Sequence, residues 1–175
     1  MRYTTLTLAL AGLILTSGCS SLVSLQPFVT AEHSVLDAGL TGIWSDPKGE
    51  TTYVIQQVGN HYRISSLDSS ETVRFEARLM QTGDVKILDL VQKDDGGFGL
   101  PVHFAVRVWP EGSTLRMALL DSDWLKDQAL QVLPAQAVDD QTVITGPSEA
   151  VRAFVAKFGA EEKAYSKIET LHRVQ

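Results

Sequence analysis

The stretch "ETVRFEARLMQTGDVKILDLVQ", residues 71–92, decides the fold of this chain. Apolar residues alternate with mostly charged ones through its first half, and the apolar set is Val73, Phe75, Ala77 and Leu79. A period of two predicts a half-buried antiparallel strand. The turn-forming Thr82-Gly83-Asp84 then leads into a second strand at 85–92. The stretch therefore predicts a strand, a turn and a strand.

Similar segments lie on both sides of this stretch. They are residues 40–46, 50–59 and 61–68 before it, and 100–109 and 114–121 after it. Turn residues recur between them about every ten positions, which is typical of a meandering antiparallel sheet. We expect this sheet to form a barrel, closed or incomplete. The glycine-rich residues 93–99 are expected to form a mobile loop.

The period changes in the C-terminal third of the chain. Residues 121–134 and 147–159 carry apolar side chains at helical spacing, with a strand predicted between them at 141–146. We expect Ser148 to cap the second helix and Gly159 to end it. Residues 167–174 alternate again, as a last strand or an extended tail. The predicted class is mainly β, with two or three short C-terminal helices.

Composition restricts the function classes. A chain of 175 residues fits one domain, and its apolar fraction of 44% is ordinary for a globular protein. The net charge of −6 argues against nucleic acid as a partner, because phosphate binding needs a basic patch. The chain has one cysteine, so no disulfide forms within it.

Residues 1–18 have the parts of a secretory signal peptide. Arg2 supplies the early positive charge, the apolar run extends from Leu6 to Leu15, and small residues follow. This run is shorter than the roughly 20 residues of a spanning helix. One interpretation is a plain signal peptide with an incidental cysteine at position 19.

The motif "LTSGC", residues 15–19, resembles the lipobox of bacterial lipoproteins. The resemblance implies cleavage between Gly18 and Cys19, a diacylglycerol on the Cys19 thiol and an acyl chain such as palmitate on its new amino group. No other cofactor is expected. Ser20 rather than aspartate follows the cysteine, which implies outer-membrane sorting in a Gram-negative cell envelope.

The domain organisation predicted from these features has three parts. They are a signal peptide at 1–18, a lipidated tether at 19–39 and a single barrel-like domain at 40–175. The tether is predicted because residues 20–39 show no clear period and begin serine-rich. Phe28 and Val29 are its candidates for packing on the domain.

The motif "LTGIW", residues 40–44, resembles the opening of lipocalin-like barrels. The resemblance implies that Trp44 closes one barrel end, with Arg173 as the arginine above it. The chain also resembles a family of uncharacterised bacterial lipoproteins in its "LxGxW", "FEAxL", "LDL", "PVH" and "DxDWL" segments. That second resemblance implies no activity.

The candidate binding residues lie on one predicted strand. His103, Arg107 and Trp109 share a face, so they are candidates for a ligand pocket; the alternative for His103 is a strand histidine bonded to the backbone. None of the four histidines has metal-pair spacing, and no metal or catalytic residue is predicted. Asp121 and Asp123 are assigned to helix capping rather than to a cation site.

The functional hypothesis is a non-enzymatic lipoprotein on a membrane of the cell envelope, which binds a small apolar ligand or a protein partner. Its first alternative is a structural or assembly factor that acts by protein contact. The second is an enzyme with a site near His103. The absence of a GxSxG or GxGxxG motif favours the non-enzymatic hypotheses.

Overall fold

The computed structural model describes residues 21–93 and 100–174. The predicted signal peptide, Cys19 and Ser20 lie outside the described residues. So does most of the predicted loop at 93–99. The strands are β1 (Ser21–Ser24), β2 (Gly42–Ser45), β3 (Thr52–Val58), β4 (His61–Leu67), β5 (Thr72–Thr82), β6 (Val85–Gln92), β7 (His103–Glu111), β8 (Thr114–Leu120), β9 (Ala135–Val138), β10 (Gln141–Ile144) and β11 (Tyr165–Arg173). The α-helices are α1 (Asp123–Val132) and α2 (Ser148–Phe158).

Eight strands form a closed antiparallel barrel. Strands β2 to β8 pair in chain order, β6 pairs with β7, and β11 pairs with both β8 and β2. The expected mainly β class and the meander are confirmed, and the arrangement is consistent with a lipocalin-like barrel. The last predicted strand is the one that closes the wall.

The hairpin of β5 and β6 follows the predicted pattern. Its register runs from Phe75 opposite Gln92 to Thr82 opposite Val85. Gly83 turns the chain with φ of +57°, a conformation that costs glycine little. The alternating apolar residues of β5 are buried in the barrel interior. The local sequence thus accounts for the two strands, the turn between them and the buried face of β5.

Between β8 and β11 the chain leaves the barrel. It forms α1, the β9–β10 hairpin and α2 before it returns. The Ser122 hydroxyl caps α1 by accepting from the Leu125 N–H at 3.1 Å. The predicted Ser148 cap is wrong, because α2 begins at Ser148 itself and Pro147 occupies the capping position. In the described part of the chain, no helix is long and apolar enough to cross a bilayer.

Two apolar clusters hold the molecule together. One fills the barrel, and the other lies between the outer barrel wall, α1, α2 and β1. Because successive strand residues point to opposite faces, Leu88 belongs to the inner cluster and its neighbour Ile87 to the outer one. The barrel therefore has one wall covered by the excursion between β8 and β11.

Residues 21–29, predicted as part of a tether, are integrated in the fold. Strand β1 pairs in parallel with β10, and Ser24 lies opposite His103 of β7. Phe28 and Val29 are completely buried. The expected packing of Phe28 and Val29 on the domain is therefore confirmed, whereas residues 21–29 are part of the fold rather than a loose tether. The strands that pair with β1 lie far along the chain, at 103 and at 141–144, and leave no local signal.

Candidate functional site

The barrel interior is almost filled by side chains. Its remaining cavity measures about 30 Å³, whereas small-molecule sites usually measure about 300 to 1,000 Å³. Aromatic and aliphatic side chains from six strands line it: Tyr53, Ile55, Ile64, Phe75, Leu88, Leu90, Val108, Leu115 and Met117. In this conformation the interior has room for one or two water molecules.

Two hydroxyl groups interrupt this apolar lining. Tyr53 and Ser66 face each other across β3 and β4, with 5% and 1% of their surfaces exposed. Neither hydroxyl has a hydrogen-bond partner of good geometry among the described residues, although the Ser66 hydroxyl is close enough to act on the Tyr53 hydroxyl. Burial, with the nearby Glu169 carboxylate as a smaller cause, raises the pKa of Tyr53. Both hydroxyls are therefore neutral polar groups in an apolar cavity.

Trp44 and Arg173, the two candidate barrel-end residues, are in direct contact. The Arg173 guanidinium carbon lies 4.1 Å from the centroid of the Trp44 ring. Arg173 also donates to the carbonyls of Thr41 and Gly39, at 2.8 and 3.0 Å. The Trp44 indole donates to the Leu40 carbonyl at 2.9 Å. The structure thus brings together the two residues that the lipocalin-like motif pairs.

His103 lies on the outer wall of the barrel, where it contacts Asp89. Its Nδ1 is 2.7 Å from one Asp89 carboxylate oxygen. The other oxygen accepts from the backbone N–H groups of Phe28 and Val29, at 2.8 and 2.9 Å. Asp89 is 4% exposed, so these bonds are shielded from water. The alternative prediction for His103 was a hydrogen bond to the backbone. The structure instead shows it bonded to the Asp89 side chain.

A small cleft of about 70 Å³ opens beside this pair. His61, Glu76 and Arg78 contribute to its lining together with Asp89 and His103. An aspartate–histidine pair is two thirds of a nucleophilic catalytic triad. The neighbouring Ser24 hydroxyl, however, donates to the Gln26 carbonyl at 2.8 Å. The arrangement fastens the N-terminal segment to the barrel.

Arg107 and Trp109 lie away from the His103–Asp89 pair and contact other residues. The Arg107 guanidinium lies over the Trp109 ring, at 4.6 Å, and donates to the Tyr165 hydroxyl at 2.6 Å. It also donates to the Gly159 carbonyl at 3.0 Å, at the C-terminal end of α2. A cation is favourable at that end of a helix. The three predicted pocket residues therefore do not converge on one cavity.

Asp121 and Asp123 do not form a cation site together. Asp121 accepts from the Leu22 N–H at 2.7 Å and lies 3.5 Å from the Lys126 ammonium. Burial raises the pKa of Asp121 to about 6. Within residues 21–93 and 100–174, no group of three acidic, histidine or cysteine side chains is arranged to hold a metal ion.

A larger open cleft of about 390 Å³ lies where β11 runs past the end of β2. These strands pair at His172 with Ser45 and at Arg173 with Trp44, and the Val174 N–H donates to the Ile43 carbonyl just beyond them. The turn at 46–51 forms one side of the cleft and residues 167–170 of β11 form the other. Burial raises the pKa of Glu169, which lies in this cleft. The barrel wall thus has a notch at this seam.

Sequence reasoning missed Asp89, although a usable signal was present. Asp89 is the one charged residue in the otherwise apolar "ILDLV" of β6, at 87–91. A carboxylate in such a run needs partners when buried. Its partners, Phe28 and Val29, lie about sixty residues earlier. The sequence therefore indicates that Asp89 has a buried partner but does not identify which residue it is.

Comparison of the chain with known protein families, with curated proteins and with solved structures gives no match. The functional interpretation therefore depends on the residues and geometry described above.

Proposed function

We propose that this protein is a lipid-anchored, non-enzymatic module of the bacterial cell envelope that acts by contact with another protein. The apolar run ending in "LTSGC" supports the anchor, with Cys19 as the acylated residue. Two or more acyl chains give stable membrane attachment, whereas one is marginal. Ser20 supports the outer membrane as the location in a two-membrane cell.

The filled barrel is the observation that favours a protein partner over a small apolar ligand. An interior cavity of about 30 Å³ is roughly a tenth of the smallest usual ligand site. A ligand would have to displace packed side chains such as Phe75 and Met117, which are buried in the same cluster. Such displacement is costly because protein interiors are close-packed.

The notch beside β11 supports a contact by strand addition. Upstream of His172, β11 pairs with β8 but not with β2 in the described residues. Ile168 is exposed on this part of the strand. An unpaired strand edge with an exposed apolar side chain suits an extended peptide, since main-chain hydrogen bonds supply affinity and side-chain pockets supply specificity.

The anchor is tested by Cys19→Ser in the organism of origin or a related host. We expect loss of incorporated labelled fatty acid and release from the membrane fraction. Labelling that persists in Cys19→Ser contradicts the anchor. Ser20→Ala is the matched control, because it leaves the cysteine in place.

The choice between partner and ligand is tested separately. A photo-crosslinking residue at Ile168 should give a discrete protein adduct that is missing when the same residue replaces Gln56, an exposed position on β3. Organic extraction of the purified wild-type protein should release no stoichiometric apolar molecule besides the Cys19 lipid. Recovery of such a molecule would favour the ligand-binding alternative.

A further inference from the structure

The first described residue, Ser21, is very close in the sequence to the proposed anchor. Ser21 is the first residue of β1 and pairs with Gln141 of β10. Its N–H donates to the Asp140 carbonyl at 3.2 Å. Cys19 is two residues before Ser21 in the sequence. Covalent geometry therefore keeps their Cα atoms within about 7 Å of each other.

We infer that the protein lies directly on the phospholipid bilayer through the surface around Ser21. The inference rests on the proposed acylation of Cys19. The polar headgroup layer is about 5 to 7 Å thick on each side of a bilayer. A connection of about 7 Å is therefore too short to hold the barrel away from the membrane.

We name the proximal surface as Ser21 and the β9–β10 turn at 138–141, which pair with each other, together with Trp124 and Lys163. These last two are close in sequence to residues bonded near β1, because the Asp121 carboxylate accepts from the Leu22 N–H and the Asp121 N–H donates to the Ala164 carbonyl. Val138 is 49% exposed and precedes the turn. The Leu22 N–H bond to Asp121 holds the start of α1 beside β1. Trp124 is half-buried in the first turn of α1.

The Trp124–Lys163 pair of this surface suits a bilayer interface, whereas the neighbouring Asp123 is an exposed carboxylate. The Lys163 ammonium lies 4.1 Å from the centroid of the Trp124 ring. Tryptophan and lysine are both favoured at the level of lipid headgroups. Asp139 and Asp140 at the turn are exposed. Their charges disfavour anionic lipid, so we assign a zwitterionic phospholipid surface as the partner.

The arrangement gives the barrel a defined orientation. Strand β1 joins the barrel through β7. Three strands separate β7 from β3 in either direction around the barrel. The outer face of β3, which includes the exposed Gln56, therefore points away from the proximal surface. We expect this opposite wall to be far from the lipid.

Depth-dependent fluorescence quenching tests the inference on the full-length acylated protein. A fluorophore is attached at Val138→Cys or, as the control, at Gln56→Cys, and the protein is reconstituted into phosphatidylcholine vesicles that contain headgroup nitroxide lipid. We expect quenching at position 138 to be several-fold greater than at position 56. Equal quenching at the two positions, or none at either, overturns the inference.

A spacer variant tests whether the short connection is responsible. Insertion of twenty Gly/Ser residues between Cys19 and Ser20 adds a flexible chain with an end-to-end distance of about 25 Å. Quenching at position 138 should then fall while the protein still floats with the vesicles. Quenching at position 138 that stays undiminished in the spacer variant would overturn the step of the inference that makes the short connection the cause of the contact. Failure of the unmodified chain to be acylated or to float instead counts against the proposed anchor, so the two failures are distinguishable.

Discussion

The guanidinium of Arg173 covers the ring of Trp44, with 4.1 Å from its carbon to the ring centroid. The same group donates to two carbonyls, those of Gly39 and Thr41, in the segment that precedes β2. One side chain from the last strand thus ties the C-terminal end of the chain to the start of the barrel. Substitution of either residue should therefore weaken this link.

Replacement of Arg173 by methionine should lower the free energy of unfolding. It should leave intact the apolar cluster between the outer barrel wall and the two helices. The variant loses two charge-assisted hydrogen bonds and the stacking on Trp44, which together contribute about 2 to 3 kcal/mol to the free energy of unfolding. Chemical denaturation followed by tryptophan fluorescence measures the change. Arg116→Met is the control, because Arg116 pairs with Glu111 at an exposed position. Equal effects of the two variants would contradict the role of Arg173.

Gly42→Ala should be destabilising for two separable reasons. Gly42 has φ of +147°, a conformation that disfavours other residues, and an added Cβ would overlap the Arg173 guanidinium. Gly112→Ala is the matched control, since its φ is +64° and its surroundings are open. We expect Gly42→Ala to have the larger effect on the free energy of unfolding. In an Arg173→Ala background the penalty should shrink, as a double-mutant cycle would measure.

Asp89→Asn should loosen the N-terminal segment. The amide lacks the charge that strengthens the bonds from the Phe28 and Val29 N–H groups. We expect faster hydrogen exchange at these two amides, while amides in β4 and β5 keep their protection. Asp84→Asn, in the exposed β5–β6 turn, should change neither set. Unchanged exchange at Phe28 and Val29 would show that packing alone retains the segment.

Asp121 should make stability depend on pH in the weakly acidic range. Burial raises the pKa of Asp121 from 3.8 to about 6. Between these values the folded protein keeps a proton that the unfolded chain has released. The contribution of Asp121 to the free energy of unfolding therefore falls as the pH rises from about 4 to about 6.

Asp121→Asn isolates this contribution, because the amide does not titrate and still accepts from the Leu22 N–H. We expect wild type to lose stability relative to Asp121→Asn as the pH rises through this window. Denaturant titrations at several pH values give the difference. A difference that is constant with pH would contradict the raised pKa.

The two buried hydroxyls of the barrel allow a direct test of its packing. Tyr53→Phe and Ser66→Ala each remove a buried polar atom that has no hydrogen-bond partner of good geometry in the described structure. We expect either substitution to lower the free energy of unfolding by at most about 1 kcal/mol or to increase it. Leu88→Ala, in the same cavity lining, should cost about 2 to 5 kcal/mol. A large loss in Tyr53→Phe would indicate that the hydroxyl has a bound partner in solution.

The barrel strands were predictable because their signal is local. Alternation in β5 assigns Val73, Phe75 and Ala77 to one face, and the turn glycine at position 83 joins it to β6. The two helices were predictable for the same reason, since their apolar residues recur at short spacing. The Ser148 cap failed by one position, which is a typical uncertainty at a helix end.

The candidate sites were less predictable, as His103 illustrates. Alternation correctly placed His103, Arg107 and Trp109 on one face of β7, apart from the apolar set. It did not show that this face lies outside the barrel, or that Asp89 and the end of α2 would cover it. Those partners come from distant parts of the chain.

By itself, the sequence determined the meander of barrel strands β2 to β8 with its turns and the two helices. It also predicts a lipid anchor at Cys19. Each depends on residues within about ten positions of one another, where backbone preference and side-chain period act directly. Only the tertiary structure decided that residues 21–29 belong to the fold and that the barrel is almost filled. The parallel pairing of β1 with β10 and the space left among facing side chains depend on contacts between distant residues, which no local pattern encodes.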